Sequence, residues 1–453
     1  MKLERIETPG IAHYAYVLAD RGEAAVIDPR RDVDDYLAAA RRLGARIRWV
    51  VETHRQEDFV MGAAHLAQLT GARVVNGTGD TFGHGDLRLR DGDTFPLGGL
   101  TIRALHTPGH TPESASYAVY TDASQPWCVF TGDALFFGTT GRTDLADPAR
   151  AAENAARLYD AVHEKLGSLP DGTLVFPAHG AGSVCGSGMA ERPFSTIGDE
   201  KRYNEVFTLG RDAFARRKGG ERLPRPPYFR RMEQVNLQGG MPPARPPDAP
   251  PLLDADRFAE ASAGSTVYDT REPEAFAGGH LPGSLSIWLG GLPVFGGWMA
   301  DEHTPILLLT DRDGDVDVAA QHLARIGIDG VQGALAGGFG AWRKSGQPIE
   351  ASGVITPRLL AEQRATFQVL DVRDDDEFGS GHIPGAEHVY VGYLRDRLNG
   401  LRIDPQRPVA VTCGVGHRAG IAVSVLLRAG FTDVRNLLGG MTAWKNLGLP
   451  LER

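Results

Sequence analysis

Four short stretches in the first half of the chain gather residue types that hold metal ions, and one near its end presents a thiol. The four are Thr53-His54-Arg55-Gln56-Glu57-Asp58-Phe59, His106-Thr107-Pro108-Gly109-His110, Thr131-Gly132-Asp133 and Pro177-Ala178-His179-Gly180. Imidazole and carboxylate are ligands for transition-metal dications. Two imidazoles with one carboxylate form the set that non-haem ferrous oxygenases use, with positions left open for substrate and O2. Taken singly, a His pair and an Asp are more often structural than ligating. The thiol is Cys413, in Cys413-Gly414-Val415-Gly416-His417-Arg418.

The elements that must position these groups are legible around them. Trp49-Val50-Val51-Glu52 reads as a buried strand and Met61 to Leu69 as a helix, so residues 53–59 fall on the turn between them, where loops present ligands from a rigid scaffold. Tyr14-Ala15-Tyr16-Val17-Leu18 and Ala24-Ala25-Val26-Ile27-Asp28 read as a hairpin around Asp20-Arg21-Gly22, followed by an amphipathic helix from Val33 to Leu43. Pro408 to Thr412 is an apolar strand ending at Cys413, with a helix from Ala419 to Ala429. A thiol on a Gly-containing loop at a helix N-terminus faces converging backbone N–H groups, which stabilise negative charge on sulfur, and Arg418 adds to them. Such a loop can cradle a persulfide or a small anion such as sulfite, with Gly414, Gly416 and His417 as its contacts. A buried structural cysteine is the alternative.

The second half repeats itself. Asp269-Thr270-Arg271-Glu272 recurs as Asp371-Val372-Arg373-Asp374, Gly279-His280-Leu281-Pro282-Gly283 as Gly381-His382-Ile383-Pro384-Gly385, and Gly337-Gly338-Phe339-Gly340-Ala341-Trp342 as Gly439-Gly440-Met441-Thr442-Ala443-Trp444, always 102 residues apart. Each copy reads as a small α/β domain with a mostly parallel sheet, large enough for its own core. The repeat is also an internal control, since Cys413 aligns with Asp311 and Arg418 with Val316. Gly239-Gly240-Met241-Pro242-Pro243-Ala244-Arg245-Pro246-Pro247 cannot hold a regular element and marks the main linker. The expected domains are 1–238, a Pro-rich linker 239–251, and two α/β domains at 252–351 and 353–453.

Bulk composition narrows the class. A chain of 453 residues with a net charge of −9 offers no basic surface for nucleic acid or anionic membrane; Arg216-Arg217-Lys218 and Arg230-Arg231 read as solvated faces. No run approaches the about 18 apolar residues of a spanning helix, and Met1-Lys2-Leu3-Glu4-Arg5 opens no signal peptide. Three cysteines do not make a disulfide scaffold, so a cytoplasmic setting is expected.

The repeated half resembles a tandem rhodanese pair, by its Asp-x-Arg start, Gly-His-x-Pro-Gly turn, C-x-x-x-x-R loop and closing Gly-Gly-x-x-x-Trp. The resemblance implies that Cys413 accepts a sulfane sulfur as a persulfide, with Arg418 in support. It also implies that the first copy, with Asp311 in that place, is inactive. The related loop of tyrosine phosphatases is one residue longer, which argues against phosphate-ester chemistry.

The N-terminal half resembles the metallo-β-lactamase superfamily, whose T-H-x-H-x-D-H turn appears here with Gln56 and Phe59 in place of His. A dinuclear zinc hydrolase of glyoxalase II type would lose one ligand at each metal position. Within the superfamily the half is similar to the persulfide dioxygenases. His106 to Ser114, Gly141-Arg142-Thr143-Asp144-Leu145 and His179-Gly180-Ala181-Gly182-Ser183-Val184-Cys185-Gly186 carry that likeness, the last in the form found in fusions with two rhodanese domains. The resemblance implies a four-layer αββα domain and one Fe(II) held by His54, His110 and Asp133. Gln56, Asp58 and His179 would stand behind those ligands, and Arg142 and Cys185 would meet the substrate. His65, His84 and His163 have no ligand spacing, and Cys128 reads as a core residue.

The resulting expectation is an α/β multidomain enzyme that oxidises a low-molecular-weight thiol persulfide with O2 to sulfite. Cys413 would then pass sulfane sulfur to sulfite, giving thiosulfate. A homo-oligomer is expected, with no nucleic-acid or membrane partner. The competing expectations are a sulfurtransferase with a non-catalytic N-terminal domain and a glyoxalase II-like thioester hydrolase.

Overall fold

Asp20-Arg21-Gly22 reverses the chain because Arg21 and Gly22 both adopt positive φ (47° and 81°), the geometry that matches a tight hairpin to strand twist. In this computed structural model the turn joins β2 (His13–Asp20) to β3 (Glu23–Ile27). The described residues are all of 1–453 except 78–80, 122–124, 243–249 and 302–303. Most of the expected Pro-rich linker therefore lies outside the described residues. The chain divides into two compact units, Met1–Arg245 with Arg325–Gly327, and Pro246–Ala324 with Ile328–Arg453.

In the first unit β1 (Lys2–Thr8), β2, β3, β4 (Arg46–Val51), β5 (Arg73–Asn76) and β6 (Leu87–Arg88) form one sheet in that order. A second sheet runs β12 (Ser195–Thr196), β11 (Leu174–Pro177), β10 (Pro126–Gly132), β9 (Ala115–Tyr120), β8 (Leu100–His106), β7 (Thr94–Leu97). Strand alternation sorts the side chains of β2 between two cores. Tyr16 and Leu18 face inward with Trp49, Val51, Phe95, Ile102, Tyr117 and Phe130 of both sheets. Ala15, Val17 and Ala19 face outward onto Tyr36 and Ala39 of the helix Asp34–Leu43 and Leu66 of the helix Ala63–Thr70. On the far side Ala118, Val129 and Val175 pack against Ala155 and Leu158 of the helix Ala151–Ala161. The layers are therefore helix, sheet, sheet, helix. Burial on both faces explains why these strands read as near-continuous apolar runs. Cys128 lies in the inner core on β10, as its sequence context implied.

The second unit holds two five-stranded parallel sheets of one topology. Their orders are β13 (Leu252–Leu253), β17 (Val331–Leu335), β16 (Ile306–Leu309), β14 (Thr266–Asp269), β15 (Leu285–Ser286), and β18 (Val354–Ile355), β22 (Val434–Leu437), β21 (Val409–Thr412), β19 (Gln368–Asp371), β20 (Glu387–His388). The 102-residue repeat is a repeat of contacts. Arg271 forks onto Asp269 and donates to the Gly279 carbonyl at 2.9 Å; Arg373 forks onto Asp371 and donates to the Gly381 carbonyl at 3.0 Å. Trp342 donates to the Pro348 carbonyl and Trp444 to that of Pro450. No helix among the described residues is long and apolar enough to cross a membrane.

Candidate metal centre and thiol loop

The candidate metal residues sit on loops that leave the strand ends of the first unit. Asp28, just past β3 with φ 50°, accepts from the Thr53 backbone N–H and hydroxyl, both at 2.8 Å. Burial pushes the Asp28 carboxyl up to about 7, against the two bonds from Thr53. Because the Thr53 hydroxyl donates to Asp28, its oxygen receives the Nδ1–H of His54 at 2.9 Å, which leaves Nε2 of His54 as a lone pair. His110 is fixed in the same sense, with Nδ1–H donating to the Arg142 carbonyl at 2.8 Å. The two rings lie 4.9 Å apart and nearly perpendicular, both fully buried. Asp133 Oδ2 stands 3.8 Å from His54 Nε2 and 3.5 Å from His110 Nε2. Two glycines permit this closeness. A Cβ at Gly132 (φ 53°) would meet Thr53 Oγ1 at 2.6 Å, and one at Gly141 would meet the Asp133 carbonyl oxygen at 2.4 Å and His110 Nδ1 at 2.9 Å.

Glu57, which the sequence reading does not single out, enters the same cluster. Its carboxylate reaches 3.4 Å from His110 Nε2 and 4.0 Å from His54 Nε2. His54 Nε2, His110 Nε2 and both Glu57 oxygens are buried without a hydrogen-bond partner. An unsatisfied buried polar atom costs about 1–3 kcal/mol. Four such atoms aimed at one another form a donor set suited to a cation. Burial pushes His54 down to about 4, so it is neutral at physiological pH, whereas His110 is pushed up to about 9 because Glu57 and Asp133 outweigh its burial. Within 4.8 Å, the potential ligand atoms group as His54–Glu57–His110, Asp58–His179–Cys185 and Glu57–Asp133–Cys185. The signal that would have found Glu57 is its type, a further carboxylate in a turn that lacks two histidines.

His179 bridges behind these atoms, with Nδ1 2.8 Å from Asp133 Oδ1 and Nε2 3.1 Å from Asp58 Oδ2. Burial opposes a charge on the ring, but Asp133, Cys185 and Asp58 together raise its pKa well above the usual value. Cys185 Sγ lies 3.9 Å from His179 Nε2, and burial first, then Asp58 and Glu57, push its thiol far up. Phe59 packs against the ring of His13 at 4.2 Å, and His13 stands 5.5 Å from His179; neither contact was visible in sequence. Gln56 is fully buried, and neither polar atom of its side chain has a partner.

Arg142 departs from the expectation that it meets the substrate. Its guanidinium forks onto Asp144 (2.7 Å twice) and donates to the carbonyls of Val184, Pro224 and Leu223, so its five donors are taken. Its contribution to the centre is the backbone oxygen that orients His110. His84 pairs with Glu52 and His163 with the Val206 carbonyl, and neither joins a ligand group among the described residues.

The thiol loop is shaped from behind. Met441 N–H donates to the Cys413 carbonyl at 2.8 Å and Thr442 N–H to that of Gly414 at 3.0 Å, both from the first turn of the helix Gly440–Asn446. With its carbonyls held there, the loop turns a backbone N–H toward sulfur: Gly416 N–H donates to Cys413 Sγ at 3.1 Å, at the start of the helix His417–Arg428. Gly440 (φ 52°) permits this, since a Cβ there would lie 2.3 Å from the Cys413 carbonyl oxygen. Gly440→Ala is expected to cost about 1–3 kcal/mol from the backbone strain, more if the loop cannot yield. Urea unfolding reads the stability loss.

Arg418 does not stand free beside the thiol. It forks onto Glu377 at 2.6 and 2.8 Å, and Glu377 is itself in a capping box with Asp374. Glu377→Gln removes the charge of one member of this pair, and urea unfolding is expected to show a loss of about 1 kcal/mol. His417 stacks on Trp288 at 4.7 Å and pairs with Glu272 at 3.1 Å, both from the first repeat. Sequence gave no sign of that contact, because it joins residues from different copies. At the matching place of the first copy Asp311 is exposed at the end of β16.

A metallo-beta-lactamase superfamily model matches residues 8–179, and a rhodanese-like domain model matches residues 254–345 and 356–447. The chain is 30% identical to the mitochondrial persulfide dioxygenase ETHE1 of Homo sapiens over 242 residues, covering 53% of this chain and 89% of that protein. It is 32% identical to a probable metallo-hydrolase of Burkholderia pseudomallei, covering 45% of this chain and 80% of that protein. Among solved structures, a metallo-beta-lactamase from Staphylococcus aureus is 28% identical with a TM-score of 0.67, covering 74% of this chain and 98% of that one.

Proposed function

We propose, for a chain that belongs to the metallo-beta-lactamase superfamily and carries two rhodanese-like domains after that fold, that it oxidises a low-molecular-weight thiol persulfide and transfers sulfane sulfur. The observation that carries the reading is the convergence of His54 Nε2, His110 Nε2 and Asp133 Oδ2 in a fully buried cluster whose Nε2 atoms have no hydrogen-bond partner. These residues would hold one ferrous ion, which supplies the redox chemistry that lets O2 react with a sulfur anion at a position both can reach. The balance is R–S–S⁻ + O2 + H2O giving R–SH, sulfite and a proton.

The protein's own part is positioning. Asp28 through Thr53, and the Arg142 carbonyl, fix the two rings with Nε2 forward. Orientation of this kind is worth about 10- to 100-fold in metal affinity or activity. His179 holds Asp133 beside Cys185, with the Phe136 ring edge-on to it at 6.4 Å and His13, itself packed on Phe59, on another side, so the ring is enclosed away from water. Persulfide on Cys413 would be attacked by sulfite, releasing thiosulfate and the Cys413 thiolate, with the Gly416 N–H beside the sulfur. Asp311 offers no sulfur nucleophile, so the first rhodanese domain would be inactive and would supply Trp288 and Glu272 beside the working loop.

The hydrolase reading, favoured by the name of the Burkholderia relative, needs two metal ions, and Phe59 cannot coordinate where that chemistry wants His. The test is oxygen consumption by the iron-loaded chain with glutathione persulfide or another small thiol persulfide. One O2 per persulfide, with sulfite in the product, is expected; hydrolysis of a glutathione thioester with no oxygen uptake would favour the hydrolase.

A further inference from the structure

We propose that Glu57 is a fourth protein ligand, so that the metal sits among two imidazoles and two carboxylates. The inference rests on the mononuclear-metal reading above and adds a residue to it. Glu57 is fully buried, and its two oxygens reach 3.4 Å from His110 Nε2 and 4.0 Å from His54 Nε2, the same two atoms that Asp133 Oδ2 approaches at 3.5 and 3.8 Å.

The two carboxylates differ in what else they do. Asp133 is committed on both oxygens to the His179 Nδ1–H, at 2.8 and 3.1 Å, whereas neither Glu57 oxygen has a hydrogen-bond partner. The neighbouring Arg55 does not pair with it, lying instead 3.6 Å from Glu113 and 3.8 Å from Glu233. A buried carboxylate with no hydrogen bond is costly to keep unless a cation meets it. A structural reading leaves Glu57 with the His110 ring at 3.4 Å as its nearest counter-charge and no hydrogen bond on either oxygen, whereas a ligand reading accounts for both oxygens and both Nε2 atoms together.

The assignment also bears on how the turn works without histidines at 56 and 59. A side chain between them supplies a hard anionic donor in their place. Two carboxylates match the charge of a dication, and a six-coordinate ion would keep two open positions rather than three. That number suits one sulfur anion and one O2, with none left for an idle water.

The test is Co(II) binding to the full chain, followed by the visible absorption of cobalt and by the metal-induced rise in Tm. Three proteins are compared: the unaltered chain, Glu57→Gln and His110→Ala. Glu57→Gln is expected to weaken cobalt binding about tenfold or more, change the cobalt spectrum, and shrink the metal-induced Tm rise. Without metal its Tm is expected to stay close to that of the unaltered chain, because no hydrogen bond is lost and a neutral amide replaces the carboxylate only at its 3.4 Å approach to His110. Unchanged cobalt affinity and spectrum in Glu57→Gln, with one cobalt bound by the unaltered chain, would overturn the Glu57 assignment alone. A metal-free Glu57→Gln protein that melts well below the unaltered chain would overturn it too, by making the residue structural. An unaltered chain that binds no cobalt would remove the metal reading and this inference together.

Discussion

Replacing His110 with Ala is expected to reduce persulfide-dependent oxygen uptake by about 10²-fold or more while sulfur transfer from thiosulfate through Cys413 stays near its starting rate. His110 is the ring that faces both carboxylates of the cluster, Glu57 at 3.4 Å and Asp133 at 3.5 Å. Losing it costs more than the about 10- to 100-fold seen when only a group supporting a ligand is removed. The Nδ1 bond to the Arg142 carbonyl is also lost, but Arg142 keeps its five side-chain bonds, so the surrounding loop should hold. An oxygen electrode and a cyanide-based sulfurtransferase assay on one preparation separate the two outcomes. If both rates survive, the N-terminal unit is a scaffold and the chain is a sulfurtransferase.

The second large effect is expected at the other end of the chain. Cys413→Ser should abolish sulfur transfer, since a hydroxyl cannot carry sulfane sulfur, with a loss of about 10⁴-fold or more, as when other covalent nucleophiles are removed. On the proposed function oxygen uptake should persist, and sulfite should accumulate where the unaltered chain would form thiosulfate. The loop is expected to keep its shape, because the bonds that set it run from Met441 and Thr442 to backbone carbonyls and not to the sulfur. Thiosulfate formation that survives Cys413→Ser would remove Cys413 from the sequence of reactions.

The two variants probe features of unequal legibility. The repeat was readable because structural reasons recur with it: the Asp-x-Arg pair is a fork onto an acid two residues away, and the closing Trp donates six residues ahead, in both copies. Strands such as β2 and β10 were readable because burial on both faces leaves long apolar runs. The positions of His54, His110 and Asp133 followed from a resemblance, and the structure brings the three side chains together. What could not be read was side-chain commitment. Arg142 and Asp144 are two residues apart, yet three of Arg142's five bonds go to carbonyls between 42 and 82 residues away. Glu57 was hidden for a related reason, since a loop carboxylate reads as solvent-facing until the fold encloses it. Trp288 and Glu272 meet His417 across the two copies, a contact that no local pattern encodes.

The most direct test of the account is the number of metal ions held by each chain. Full-length protein loaded with excess Fe(II) under anaerobic conditions, desalted and analysed for metal, is expected to retain one iron per chain, and the His110→Ala protein far less. Two ions per chain, or one that stays after His110 is replaced, would contradict a single centre built on His54, His110 and Asp133.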